Sequence, residues 1–218
     1  MAYRMSDSKK MKRQDKKKGN KINVPNRLSL VRIAVVPIIL LLLLFPYEQF
    51  EIIIPSFSFG FVTVSIIRAL VFVIFLFACF TDWLDGFIAR RFNMVTSLGK
   101  FIDPIADKLL TTTLFMVYAW QGIIPVVPVV LMIWRDIIVD GVRMICAESS
   151  VVIAAGVLGK LKTVVQMITI VLITINNLPF ELINLPMSNV LLWFSAFISV
   201  FSGISYVYQA RDIILSSK

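Results

Sequence analysis

Long apolar runs alternate with short polar breaks along almost the whole chain. The runs are roughly 18–20 residues long, enough for a helix to cross a hydrocarbon core of about 30 Å. Six of them are read, at about 28–46, 62–91, 104–120, 123–147, 161–178 and 188–210. The second and fourth are long enough to project from the bilayer at one end. The third differs from the rest because aspartates occupy its cytoplasmic half. The pattern predicts an all-α, polytopic membrane protein with six transmembrane helices over residues 23–218, preceded by a basic tail at 1–22. No stretch has the layout of a cleaved signal peptide, so the first span reads as an uncleaved anchor.

Composition agrees. Of 218 residues 58% are hydrophobic and only 16% charged, with a mean hydropathy of +0.86. A soluble domain of this length is far more polar. The charge that remains is distributed unevenly. Residues 1–27 hold ten Lys or Arg, and Arg90, Arg91, Lys100, Lys108, Lys160, Lys162, Arg211 and Lys218 follow in alternate connections. The intervening loops at 47–61, 120–125 and 178–187 carry Glu48, Glu51 and Glu181 but no Lys or Arg. By the positive-inside rule both termini lie in the cytoplasm. The tail accounts for most of the net charge of +9. Beside a membrane helix it reads as a contact for anionic lipid headgroups or a merely solvated segment, not as a nucleic-acid site. Cys79 and Cys146 read as packing residues on the reducing side. The chain has no histidine, which leaves acid–base chemistry to carboxylates, Lys, Tyr or water.

Four aspartates interrupt this apolar background on the cytoplasmic side: Asp82, Asp85, Asp103 and Asp107. On a helix Asp82, Asp85, Gly86 and Ala89 share one face, and Asp103 and Asp107 share a face of the next helix. A short turn containing Asn93, Ser97 and Gly99 makes the two helices antiparallel neighbours. Converging carboxylates repel unless cations sit between them. Oxygen ligands without Cys or His select a hard ion, and four carboxylates have room for two Mg²⁺ or Mn²⁺. Gly86 and Ala89 leave space for a bulky group against the backbone, and carboxylate-bound Mg²⁺ commonly serves substrate phosphates. The competing structural account makes Asp103 the N-cap of a helix with Pro104 at its first position, and pairs Asp82 and Asp85 with Arg90 and Arg91.

The segments "DWLDGFIAR" at 82–90 and "GKFIDPIAD" at 99–107 resemble the complete signature of the CDP-alcohol phosphatidyltransferases. The resemblance implies six transmembrane helices, two divalent metal ions, a homodimer, and transfer of a phosphatidyl group from CDP-diacylglycerol to an alcohol with release of CMP. It implies that Asp82, Asp85, Asp103 and Asp107 are the metal shell and that Asp107 is the catalytic base. It also implies that Asn26, Ser29, Gly86, Ala89, Arg90 and Gly99 hold the cytidine nucleotide.

Further stretches, "NVPNRLSLVRIAVVP" at 23–37, "WRDIIVDGVR" at 134–143, "GKLKT" at 159–163 and "SGISYVY" at 202–208, are similar to the branch that makes phosphatidylglycerophosphate from glycerol 3-phosphate. Ser29 stands where that branch has threonine, Asp136 where it has glutamate, and Gln209-Ala210 where it has a glycine near the arginine. Charge supports the same acceptor independently. Arg135 and Arg143 lie close to one face of the fourth span, Asp136 and Asp140 on an adjoining one, and an Arg–Asp ion-pair network is the structural alternative for these aspartates. Arg143, Lys160 and Lys162 leave positive charge in excess toward the cytoplasmic end, which suits an anionic acceptor. Arg135, Arg143, Lys160 and Lys162 are therefore the expected phosphate-binding set. Serine, inositol phosphate or phosphatidylglycerol would be the acceptor in other branches. An ion transporter would show paired helix breaks in two halves, and a membrane prenyltransferase a second aspartate-rich motif. The expected location is the bacterial cytoplasmic membrane, with the active site facing the cytoplasm.

Overall fold

A computed structural model describes residues 24–91, 97–148 and 156–216; within them the side chains of 24–26, Asp85, Ala89, Arg90, 97–101, Glu148 and 214–216 lie outside the description. The basic tail at 1–22 and the turn residue Asn93 also fall outside. Six α-helices are present among the described residues: α1 (Val24–Leu44), α2 (Ile66–Arg91), α3 (Ser97–Trp120), α4 (Val126–Glu148), α5 (Val157–Thr174) and α6 (Met187–Ser216). Four of them, α1, α2, α5 and α6, are long and apolar enough to cross a membrane. The chain is an all-α integral membrane protein.

Several boundaries differ from the periodicity. Residues 62–65 are a strand, β2 (Val62–Ser65), paired antiparallel with β1 (Ser56–Phe59), so the second span begins at Ile66. Its alternation of Phe, Ser, Val and Thr has period two, which an apolar count over the same stretch does not separate from a helix. The two-residue turn places Gly60 at φ +62°, the first position of a turn that reserves it for glycine. Helix α3 begins at Ser97 and runs through Pro104. Asp103 is therefore inside the helix and is not its N-cap, and Ser97 and Gly99 belong to the helix instead of the turn. Helix α5 starts at Val157, so Lys160 and Lys162 sit within its first two turns and not ahead of it. It stops at Thr174, because Asn176 and Asn177 adopt φ +55° and +60°, a conformation that asparagine tolerates better than most residues.

By contacts the chain divides into two compact units, one holding the described residues up to Ile38 with Ile74–Leu110, the other Ile39–Val73 and the chain from Thr111 onward. In the second unit α6 packs against both α4 and α5. Its inward stripe, Leu192, Ser195, Ala196, Ser199, Ser202, Tyr206 and Ala210, is buried throughout. Most of these residues are small, and small residues let membrane helices approach closely where no water drives them together. At the α4 end of this seam Val139, Val142 and Cys146 close on Tyr206 and Ala210. Both cysteines are unbridged thiols, Cys146 buried and Cys79 half-buried.

The far end of the second unit is held by polar side chains. Arg68 Nη1 donates to Asn176 Oδ1, and the Asn176 side-chain amide donates to Thr63 O at 2.5 Å, tying β2 and α2 to the turn after α5. Asn177 is buried and fully engaged: its amide donates to Glu181 Oε2 (2.8 Å) and Leu185 O (2.7 Å), and its oxygen accepts from Ser188 N–H (2.9 Å). Tyr118 meets Thr174 at 2.8 Å, but the Thr174 hydroxyl also bonds Ile170 O. Two substitutions should therefore differ. Asn177→Ala loses three bonds at a positive φ and should cost about 2–4 kcal/mol, since each orphaned buried partner costs about 1–3 kcal/mol. Tyr118→Phe leaves Thr174 with a partner and should cost less than about 1 kcal/mol. Thermal unfolding in detergent measures both, and equal losses would refute this account of the turn.

Candidate active site

In the first unit the polar residues continue the inward stripes of three helices. On α1, Ser29 and Arg32 are buried on the same stripe as Val36. On α2, Asp82 extends the line of Phe75 and Ala78. On α3, Asp103 and Asp107 stand on the stripe of Ala106 and Leu110. The apolar periodicity that sets which face turns inward thus also aims the carboxylates inward.

Their partners are specific. Arg32 Nη1 forms an ion pair with Asp82 Oδ1; the arginine side chain is 1% exposed and the aspartate 39%. The Ser29 hydroxyl donates to Asp103 Oδ1 at 2.5 Å. Asp107 is half-buried, and it acts electrostatically, with Asp82 and Arg32, on the thiol of Cys79 one turn before Asp82. The structure therefore joins Ser29 to Asp103 and Arg32 to Asp82. Gly86, one turn beyond Asp82, is half-buried. The side chains of Asp85, Ala89, Arg90, Gly99 and Asn26 lie outside the described residues. Among the described residues no three acidic or thiol groups converge as a metal cage. The donors present, carboxylate and hydroxyl oxygens without histidine, fit a hard cation by their chemistry.

Arg32 is the residue that the sequence reading missed. It lies within an apolar run, which masks a single charge. Its signal was its spacing: three residues after Ser29, it shares that residue's face, and a lone charge in a span is functional by default.

In the second unit a separate polar cluster joins α4, α5 and α6. Asp136 Oδ1 accepts from Arg135 Nη1 at 2.9 Å and from Lys162 Nζ. Arg135 Nη2 donates to Ser202 Oγ at 2.6 Å, while its buried Nε has no partner among the described residues. Arg143 Nε donates to Tyr206 Oη at 3.3 Å, and the guanidinium lies over that ring, 5.3 Å from its centroid. Lys160 is exposed. Of the four expected phosphate-binding cations, Arg135 and Lys162 come together around Asp136, Arg143 engages Tyr206, and Lys160 faces outward. A small cavity of about 10 Å³, lined in part by Thr111, Thr112, Asp136 and Gln166, adjoins the cluster.

The chain is similar to known proteins over most of its length. The family model for CDP-alcohol phosphatidyltransferase matches residues 22–201. A Bacillus subtilis protein named CDP-diacylglycerol–glycerol-3-phosphate 3-phosphatidyltransferase is 36% identical over 195 residues, covering 89% of this chain and 98% of the relative. Proteins of the same name from Rickettsia typhi and Pectobacterium atrosepticum are 33% identical over 185 residues and 35% over 154, covering 84% and 68% of this chain and 94% and 74% of the relatives. With the aspartates of "DWLDGFIAR" and "GKFIDPIAD" carried on α2 and α3, the chain belongs to the CDP-alcohol phosphatidyltransferase family.

Proposed function

We propose that this protein transfers the phosphatidyl group of CDP-diacylglycerol to sn-glycerol 3-phosphate, giving phosphatidylglycerophosphate and CMP. The observation that carries the reading is the similarity to relatives of that name across nearly the whole chain. The inward carboxylates of α2 and α3, the half-buried Arg135 of α4 and the buried Lys162 of α5 are consistent with it.

Asp82, Asp85, Asp103 and Asp107 would hold two divalent cations, Mg²⁺ or Mn²⁺, whose charge would offset that of the substrate diphosphate as it changes during transfer. Ser29, bonded to Asp103, fixes the orientation of that carboxylate, and Arg32 does the same for Asp82. Asn26, Ser29, Gly86, Ala89, Arg90 and Gly99 hold the cytidine nucleotide. Arg135, Arg143, Lys160 and Lys162 take the acceptor phosphate, with the arginines offering planar forks and the lysines point charges. The acceptor's primary hydroxyl attacks the phosphorus that bears diacylglycerol. Asp107 takes the hydroxyl proton, the bond from phosphorus to the CMP oxygen breaks, and CMP leaves with the electron pair.

The same reading includes six crossings. Helices α3 and α4 have 24 and 23 residues, which at about 1.5 Å each is enough to span about 30 Å. It places both termini and the reacting groups on the cytoplasmic side, where the basic connections lie, and takes the enzyme to be a homodimer in contact with membrane lipids.

An acceptor screen with labelled CDP-diacylglycerol tests the reaction: CMP release should require glycerol 3-phosphate and should not be supported by serine, inositol phosphate or phosphatidylglycerol. Release with one of these instead would move the protein to another branch of the family. Asp107→Asn keeps size but removes basicity, and turnover should fall by about 10²–10⁴-fold. Near-normal turnover in a folded Asp107→Asn protein would sink the assignment of the base. EDTA should abolish activity, and Mg²⁺ or Mn²⁺ should restore it; full activity in excess chelator would contradict an all-oxygen cation site.

A further inference from the structure

The side chain of Arg135 crosses α6 at a glycine. A Cβ placed on Gly203 would stand 2.8 Å from Arg135 Cγ and 3.8 Å from its Cβ and Nε. The near atom is close to the root of the side chain, so the contact cannot be relieved by moving only the tip. Rotation about χ1 or χ2 would swing the guanidinium away from where it now lies. In its present place that guanidinium bonds Asp136 through Nη1 and the buried Ser202 hydroxyl through Nη2. Ser202 thus fixes the far end of the side chain and Gly203 makes room for the near end. The remaining nitrogen, Nε, is buried without a partner among the described residues.

We propose that Gly203 and Ser202 are positioning residues for the acceptor phosphate: together they set where the Arg135 guanidinium is presented, and so determine affinity for a small phosphorylated alcohol. The proposal rests on the reading of Arg135 as a phosphate-binding residue. Neither α6 residue touches the acceptor; both act through Arg135. Phosphate recognition by arginine depends on the orientation of a planar fork. A displacement of about 1 Å in a positioning group is enough to cost up to about a hundredfold.

The test uses the full-length enzyme in detergent–lipid micelles. Gly203→Ala should raise the KM for glycerol 3-phosphate about tenfold or more, with kcat and the KM for CDP-diacylglycerol near wild type. Gly141→Ala is the matched control, since a Cβ at that helical glycine meets nothing within 4 Å, and it should leave both KM values unchanged. Ser202→Ala should raise the same KM, and Ser202→Thr, which keeps the hydroxyl, should restore it in part. Because both residues act through one guanidinium, the double variant should show less than the product of the single effects. Should Gly203→Ala fail to fold, the Ser202 pair carries the test alone. A fall in kcat, equal rises in both KM values, or no change in either would overturn the proposal and leave only a packing role for the seam. A wild-type enzyme that does not use glycerol 3-phosphate would overturn the acceptor reading instead, and that result is visible before any variant is made.

Discussion

A charged side chain on the inward stripe of a membrane helix has to find its counter-charge within the protein. Lipid offers no solvation, and placing an unpaired ion at the centre of a span costs at least about 2.5–3.5 kcal/mol. Ion pairs in both units follow this constraint. Asp82 is matched by Arg32, whose side chain is almost wholly enclosed, and Asp136 by Lys162 and Arg135. Such pairs add little net stability compared with apolar packing, but removing one partner leaves the other charge without its counter-ion. Each pair therefore fixes which helix faces meet and at what register. Arg32 binds α1 to α2 inside the first unit; Asp136 binds α4 to α5, and through Arg135 to α6, inside the second.

The neutral polar residues follow from the same constraint. Ser29, Ser202 and Tyr206 each lie on a buried stripe and each bonds a charged group of another helix. A hydroxyl in such a place extends the solvation of the ion without adding charge. Small side chains around them keep the helices near enough for these short bonds. Along α6 that means serine, alanine and glycine, and at Gly203 the space left by a missing side chain is occupied by the stem of Arg135. Packing and electrostatics here are one requirement, since the helix approach that buries the stripe also delivers the hydroxyl to the ion.

How much of this was legible in the sequence follows from what periodicity can and cannot carry. The helices, the shared face of Asp103 and Asp107, and the shared face of Arg135 and Arg143 all appeared, because a 3.6-residue period specifies them directly. The family signature was legible because its spacing is exact along one chain. The β1–β2 hairpin was not, since β2 merged with the apolar run of the second span when counted and not phased, and β1 fell in the loop before it. The start of α3 was missed because Asp-Pro is a strong local signal for a helix start, and the helix overrode it. The partners were the least legible. Nothing local links Arg32 to Asp82 fifty positions on, or Lys162 to Asp136. Pairing is a property of packed faces, and a single sequence gives each face without its neighbour.

This also accounts for why α3 and α4 fall short of the apolarity that α1, α2, α5 and α6 reach. Hydropathy averages a residue's transfer cost over a window without regard to the face it occupies. Asp103, Asp107 and Lys108 lower the average of α3, and Arg135, Asp136, Asp140 and Arg143 lower that of α4. The relevant cost is the one against the actual surroundings. For Asp136 and Arg135 those are each other, Lys162 and Ser202; for Asp103 they include the Ser29 hydroxyl. A helix whose outward face is apolar and whose inward charges are paired can lie in a bilayer at little more cost than a uniformly apolar one. The charges on α3 and α4 lower an average taken over all faces, although Asp103, Arg135 and Asp136 meet their partners on the inward face.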